Sequence, residues 1–364
     1  MKRIGGLIYL LAIAIVAFLV GCKKDEPAAP APGAGSAKAP AAAAVGKELN
    51  LFAWSEYIPE DVITGFTKET GVKVNYETYA SNEEMLSKLL AGGTKYDLIQ
   101  PSEYVIEALV KQNKLEALDH AKLTNLKNIV ADLRDMPHDP GLKYSVPWMV
   151  GFVGIVVNTD KVKDPVKGFK DVFQDKYKGR IVALNDNREI VAWAMMTHGI
   201  DVNQMTPENL EKVKPTVEKW IKLVKVFDSD SPKTAMMNGD VDIGVVWSGE
   251  GAILANTDKK YAFVIPEEGA RQYIDNLAIP KGAPNAEGAH LFINYILRPE
   301  VSKLVSDKFP YTNPNSEARK LLTPEQLKNP ASYPEIKSKQ TFRDIGKAAS
   351  DLDKMVTDLK AAAN

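Results

Sequence analysis

The chain has 364 residues, with 46 Lys and Arg against 47 Asp and Glu, four His and a single Cys. A balance this close to neutral lacks the basic excess that nucleic-acid binding asks for, and one cysteine excludes a disulfide framework. His120, His138, His198 and His290 are scattered without metal-ligand spacing, and the chain has no Walker loop, no G-x-G-x-x-G and no H-E-x-x-H. Neither a metal nor a cofactor is therefore expected.

Lys2 and Arg3 precede Leu7–Val20, an apolar run of 14 residues. A membrane span needs about 20, so Met1–Val20 reads as a targeting segment. It ends in Leu19-Val20-Gly21-Cys22, which resembles the bacterial lipoprotein signal. The resemblance implies cleavage after residue 21 and lipidation of Cys22. Residues 22–46 are rich in Ala, Pro, Gly and Lys, with no large apolar residue before Val45. Such a segment cannot bury a core and is expected to be a tether.

Five of the Lys and Arg and two of the Asp and Glu lie in residues 1–46, so the remaining body carries a net charge of −4. At roughly 318 residues it exceeds one compact core and is expected to form two lobes. Its first segment, Leu49-Asn50-Leu51-Phe52-Ala53, alternates as a buried strand and runs into Trp54-Ser55-Glu56-Tyr57 before Pro59 stops it. Asp61–Gly71 reads as an amphipathic helix closed by glycine. A strand at Val72–Tyr76 follows, then a helix at Asn82–Leu90 capped by Ser81 or Asn82. Asp97–Gln100 is a short strand ending at Pro101-Ser102, and Glu103–Gln112 is helical. This β-α-β-α order implies a parallel sheet with right-handed crossovers.

Tyr144–Asn158 is long, apolar and extended, suited to leaving one lobe and entering another. Beyond it the pattern predicts a strand at Ile181–Leu184, a helix from Asn187 to His198 and a helical region over Glu208–Val226, kinked or broken at Pro215. Val241–Trp247, Tyr261–Pro266 and Tyr273–Ile279 are extended, the last two carrying the chain back. Helices are expected at Asn285–Leu297, Glu300–Lys308 and Asp344–Lys360.

Catalytic signals are thin. Ser248 lies in Trp247-Ser248-Gly249-Glu250-Gly251, but Val246 and Glu250 fill the two glycine positions that a nucleophile elbow requires. No enzyme is expected. Four carboxylates stand at strand ends. Asp186 and Glu189, three residues apart, open a helix, where the alternative is an N-cap and capping box. Glu250 follows Trp247, and Asp275 follows Tyr273. Trp54, Tyr57, Tyr104, Trp247, Tyr273 and Tyr311 fall at strand exits or turns. Aromatic faces attract ammonium groups and cover methylenes, and carboxylates add charge-assisted hydrogen bonds. A cationic, partly apolar ligand would need both.

Six stretches in the same order carry a specific resemblance: Phe52–Tyr57, Phe66–Val74, Tyr96–Ser102, Asp275–Pro280, Leu297–Val301 and Ala318–Leu322. Over Leu49–Leu359 the body resembles the bacterial spermidine/putrescine-binding components of ABC importers. The resemblance implies an α/β periplasmic-binding-protein fold of type II, two lobes joined by two crossover segments with the ligand cleft between them. Lobe 1 is expected at 47–150 and 274–324, lobe 2 at 151–273 and 325–364. It places Trp54, Ser55, Tyr57, Ser102 and Tyr104 at the cleft, Asp186 and Glu189 on amines, Trp247 and Tyr273 about the methylenes, Asp275 on a terminal ammonium and Tyr311 at the border. Glu250 and Ser55 match putrescine-type members, Asp186 and Tyr104 spermidine-type ones, so the choice of polyamine stays open. So does the C-terminal contact, Gln340 or Phe342. The implied protein is a monomer anchored in the periplasm or at the cell exterior, handing polyamine to permease subunits with a separate ATPase. The alternatives are another small cation or an amino acid in the same fold, or a polyamine sensor.

Overall fold

The computed structural model describes residues 45–91, 95–336 and 338–363. The expected signal segment, Cys22 and nearly all of the tether lie outside them. The strands are β1 (Glu48–Trp54), β2 (Lys73–Tyr79), β3 (Leu98–Ile99), β4 (Ser145–Asn158), β5 (Ile181–Ala183), β6 (Val224–Phe227), β7 (Ile243–Trp247), β8 (Tyr261–Val264), β9 (Ala270–Ala278) and β10 (Lys339–Gln340). They hydrogen-bond in the order β2-β1-β3-β9-β4-β7-β5-β6, with β8 on β4 and β10 on β9.

Each end of this sheet is parallel: β1 lies between β2 and β3, and β5 between β6 and β7. The middle is antiparallel. β9 runs against β3 and β4, and β4 runs against β7. The parallel sheet read from the β-α-β-α order thus holds within each half, and the two long strands that cross between the halves reverse it. All 14 residues of β4 are buried, and so are all nine of β9. A strand covered on both faces reads as a continuous apolar run, which is the pattern of Val146–Val157.

Two main cores lie on either side of this crossing. One gathers Leu49, Leu51, Phe66, Leu98, Trp148, Ile274, Phe292 and Ile296. The other gathers Ile155, Phe169, Ile181, Trp193, Val217, Trp220 and Val245, closed by Phe342, Leu352 and Val356 from the C-terminal segment. In the second, Phe173 stacks on Trp220 at 4.2 Å and Phe169 on Trp193 at 5.5 Å. Side chains of this size stabilise by about 1.5–3 kcal/mol each when fully buried.

Most helix limits follow their local signals. The helix Glu60–Thr70 ends at Gly71 with φ +74°, a left-handed cap that glycine adopts without a Cβ penalty. Ser81 Oγ accepts from Glu84 N at 3.1 Å and caps the next helix, Asn82–Ala91. The region over Glu208–Val226 differs from expectation. The helix Pro207–Ile221 runs through Pro215 without interruption. Buried Leu210, Val213, Val217 and Trp220 dock it on the core and outweigh the lost hydrogen bond. It stops at Ile221, and Val224–Phe227 is strand β6, held in parallel register with β5. Val-Lys-Val-Phe has strand propensity that the helical reading passed over.

The C-terminal helix begins at Ala348 rather than at Asp344. Arg343 and Asp344 are instead drawn to Glu107, with Arg343 Nε donating at 2.8 Å and Asp344 N at 3.1 Å. Among the described residues no helix is long and apolar enough to cross a membrane.

Candidate functional site

The parallel strands of the two halves point their C-terminal ends at each other, which is where α/β folds hold ligands. β1 ends at Trp54, β2 at Tyr79, β3 leads to Ser102, β5 to Asp186, β6 to Ser229 and Asp230, and β7 to Trp247. Between them lies a cavity of about 620 Å³ including its opening to solvent. All twelve residues singled out from the sequence line it: Trp54, Ser55, Tyr57, Ser102, Tyr104, Asp186, Glu189, Trp247, Glu250, Tyr273, Asp275 and Tyr311. Of the two C-terminal candidates, Phe342 lines it. Gln340 faces away, its Oε1 accepting from Val202 N at 2.9 Å.

One deeply buried carboxylate is Asp275, 2 % exposed on β9. Ser102 Oγ donates to its Oδ1 at 2.6 Å and Tyr57 OH to its Oδ2 at 2.9 Å. Ser102 is itself fixed by Asn82, whose Nδ2 donates to Ser102 Oγ at 3.0 Å. Among the described residues no cation pairs with Asp275. Burial raises its carboxyl to about 7, although the two hydroxyls and the more distant Arg271 favour the charged form. Burial also holds Tyr57, Tyr104, Tyr273 and Tyr311 well above the ordinary phenol range, so each stays protonated.

Aromatic rings surround this carboxylate. Tyr57 meets Tyr311 edge-on at 5.0 Å, and Trp247 meets Tyr273 at 5.1 Å and 81°. Glycine permits both placements. The Tyr273 ring covers Gly151 of β4, and the Tyr311 ring covers Gly249, where any Cβ would overlap the ring. Trp247 is pinned by its Nε1, which donates to Ser229 O at 2.9 Å.

The other carboxylates are held differently. Asp186 caps the helix Asn187–Thr197, its Oδ1 accepting from Glu189 N at 3.0 Å. The capping-box alternative is half realised, because Glu189 turns away from the helix start. Its Oε2 accepts from Trp193 Nε1 at 3.2 Å, and its Oε1 pairs with Arg271 Nη2 at 3.0 Å. Burial raises Glu189, with Arg271 acting against it. Glu250 pairs with Lys233 at 2.8 Å, and Lys233 reaches Glu56 at 2.7 Å. Burial raises Glu250 as well, and Lys233 opposes it.

Glu56 and Ser55 belong to one half of the molecule, Lys233 and Asp230 to the other. The Glu56–Lys233 pair and a hydrogen bond from Ser55 Oγ to Asp230 span the cleft mouth. Glu56 has φ +52°, a left-handed conformation that costs a non-glycine residue energy, in the turn from which its carboxylate reaches Lys233.

Arg271, Glu56, Asp230 and Tyr79 line the cavity without having been singled out. For Arg271 a signal existed. Side chains alternate along a strand, so placing Tyr273 and Asp275 in the cleft places Arg271 there too. Glu56 sits between two chosen residues in a turn, where no such periodicity applies.

A cleft between two α/β lobes, walled by rings and carboxylates, is the architecture of a protein that encloses a small molecule. The profile of the bacterial extracellular solute-binding proteins matches residues 61–336. The spermidine/putrescine-binding periplasmic protein of Escherichia coli is 37 % identical over 319 residues, spanning 86 % of this chain and 91 % of the relative. The putrescine-binding periplasmic protein SpuD of Pseudomonas aeruginosa is 34 % identical, with the same shares of the two chains. Among solved structures, the spermidine/putrescine ABC transporter substrate-binding protein PotD of Streptococcus pneumoniae superposes with a TM-score of 0.75 at 31 % identity, covering 88 % of this chain and 100 % of that one. The TpPotD lipoprotein of Treponema pallidum gives 0.76 at 27 % identity, covering 86 % and 99 %. The chain belongs to the bacterial extracellular solute-binding protein family, a family of binding proteins and not of enzymes. Its fold is the type II periplasmic-binding-protein fold, two α/β lobes joined by crossover strands.

Proposed function

We propose that the protein captures a polyamine between its lobes and delivers it to an ABC importer. The observation that carries this reading is Asp275. A buried carboxylate given two hydroxyl donors and, among the described residues, no ion-pair partner, inside a ring of aromatic side chains, suits an ammonium group followed by methylenes. The spermidine/putrescine- and putrescine-binding periplasmic relatives support the same cargo and a periplasmic setting. In this reading Asp275 takes one terminal ammonium, Trp247, Tyr273 and Tyr311 cover the methylenes, and Asp186 takes a second amine. Trp54, Ser55, Tyr57, Ser102 and Tyr104 complete the wall.

Lobe 1 comprises 47–150 and 274–324, and lobe 2 comprises 151–273 and 325–364. The two separate cores support that division. Contacts of Ser55 and Glu56 with Asp230 and Lys233 hold the lobes together over the ligand, and permease subunits with a separate ATPase receive the closed form. The protein acts as a monomer, anchored through lipidated Cys22. The sequence around that residue and the description of the Treponema relative as a lipoprotein support the anchor.

The test is titration calorimetry on the protein, first unfolded and refolded to strip carried-over amine, with putrescine and with spermidine. Saturable one-to-one binding of either is expected. A folded protein that binds neither would overturn the cargo assignment.

A further inference from the structure

Not every carboxylate in the cleft is open to a ligand. Glu189, 1 % exposed, faces the Arg271 guanidinium at 3.0 Å. Arg271 is 2 % exposed. Its Nη1 also reaches Glu103 Oε1 at 3.5 Å, and its Cζ lies 3.5 Å from the Phe342 ring centre. Glu103 is taken up further by two backbone donors, Ile274 N at 2.9 Å and Phe342 N at 3.0 Å. At the other wall Glu250 and Glu56 share the Lys233 ammonium, whose side chain is 13 % exposed. Both cations come from the chain itself and sit where a ligand amine would otherwise pair.

Two inward carboxylates remain without an ion pair among the described residues, Asp275 and Asp186. Asp230 also lacks one, but it is exposed at the mouth and accepts from Ser55 Oγ. Arg188 and Lys360 lie near Asp186 but are turned elsewhere. Arg188 donates to Arg343 O and lies over the Phe342 and Tyr104 rings, and Lys360 donates to Asn185 and Asn187.

Resting on the polyamine reading, we infer that Arg271 and Lys233 are tethered cations that fill two amine positions of the cleft and so select a diamine over a triamine. Two ammonium groups then meet Asp275 and Asp186. A third amine on the same chain finds Glu189 and Glu250 already neutralised and a guanidinium or ammonium opposing it. Like charge in a desolvated site is a strong means of exclusion. Removing either cation frees its carboxylate for a ligand amine.

The experiment compares 1,4-diaminobutane and spermidine by titration calorimetry on wild type, Arg271→Gln, Arg271→Lys and Lys233→Gln. Wild type is expected to bind the diamine at least tenfold more tightly. Arg271→Gln shifts the ratio toward spermidine by tenfold or more, and Lys233→Gln shifts it several-fold in the same direction. Arg271→Lys keeps the charge but not the planar fork stacked on Phe342, and leaves the ratio closer to wild type than Arg271→Gln does. Should Arg271→Gln not fold, Lys233→Gln decides, since its side chain is nearer the solvent. Ratios unchanged in the folded variants, a wild type that prefers spermidine, or an Arg271→Lys shift as large as that of Arg271→Gln would each overturn the inference and leave polyamine capture standing. Binding of neither amine to folded wild type would instead overturn the polyamine reading itself.

Discussion

Asp275 and Glu189 are two buried carboxylates in one cavity, and they are held in opposite ways. Among the described residues Asp275 has hydroxyl partners, Ser102 and Tyr57, and no ion pair. Glu189 has a guanidinium 3.0 Å away. Burial raises both carboxyls, Asp275 to about 7 and Glu189 even with its guanidinium, so the difference between them lies in their partners: hydroxyls lower the cost of a buried charge without cancelling it, and Asp275 is left to take a cation from a ligand. The Glu189 charge is already met from within. A cleft rich in acids is thus not uniformly attractive to amines, and the placement of internal cations decides where a ligand is drawn.

The contrast breaks most readily at Asp275. Asp275→Asn is expected to weaken putrescine binding tenfold or more, since one amine loses its charged partner. The same change removes a buried carboxyl that resists ionisation, so the unliganded variant should melt above wild type. Calorimetry and thermal melts check the two halves, and wild-type affinity in the variant would remove Asp275 from the site.

Next in size is the pH effect. Asp275 has a folded pKa raised above its unfolded value, so between the ordinary carboxylate range and about 7 the native state holds the extra proton. Its contribution to the stability of the unliganded protein therefore falls as pH rises through that window. A bound ammonium selects the carboxylate and reverses this. Putrescine affinity should fall by roughly fivefold to tenfold from pH 8 to pH 6, with proton release on binding at pH 6. Titrations in buffers of different ionisation enthalpy measure that proton, and a flat profile would argue that Asp275 is ionised without ligand.

Glu189→Gln sharpens the comparison from the other side. Putrescine affinity is expected to change by no more than about threefold, while stability falls, by up to about 3 kcal/mol, as Arg271 loses the nearer of its two buried carboxylates and keeps Glu103. Chemical denaturation alongside calorimetry separates the two. An affinity loss matching that of Asp275→Asn would erase the distinction between the two carboxylates. The smallest effect is that of salt. Exposed acids such as Asp230 at the mouth add attraction that salt screens, so affinity should decline gently with ionic strength.

Much of this site was readable in advance, for a physical reason. Leu49–Ala53 alternates, Pro59 ends the run, and a strand exit in an α/β unit opens on the cleft, so Trp54, Ser55 and Tyr57 fall where expected. The pairing states were not readable in the same way. Arg271 meets Glu189 across 82 positions of chain, and Lys233 meets Glu56 across 177. Local patterning carries no information about such partners. Strand β6 was missed because Val224 and Val226 continue an apolar spacing that helix and strand share over short runs. Gln340 and Phe342 stand two residues apart, so strand alternation does not separate them; the hydrogen bond of Gln340 Oε1 with Val202 N turns one away, and Phe342 is the one at the cavity.

The central claim is that a ligand amine meets Asp275 while Glu189 keeps its internal partner. A crystal structure of the putrescine-loaded protein tests it most directly. The account predicts an ammonium nitrogen within about 3 Å of an Asp275 carboxylate oxygen, with Arg271 still on Glu189. A ligand amine seated on Glu189 with Arg271 displaced, or a cavity left without putrescine at saturating concentration, would contradict it.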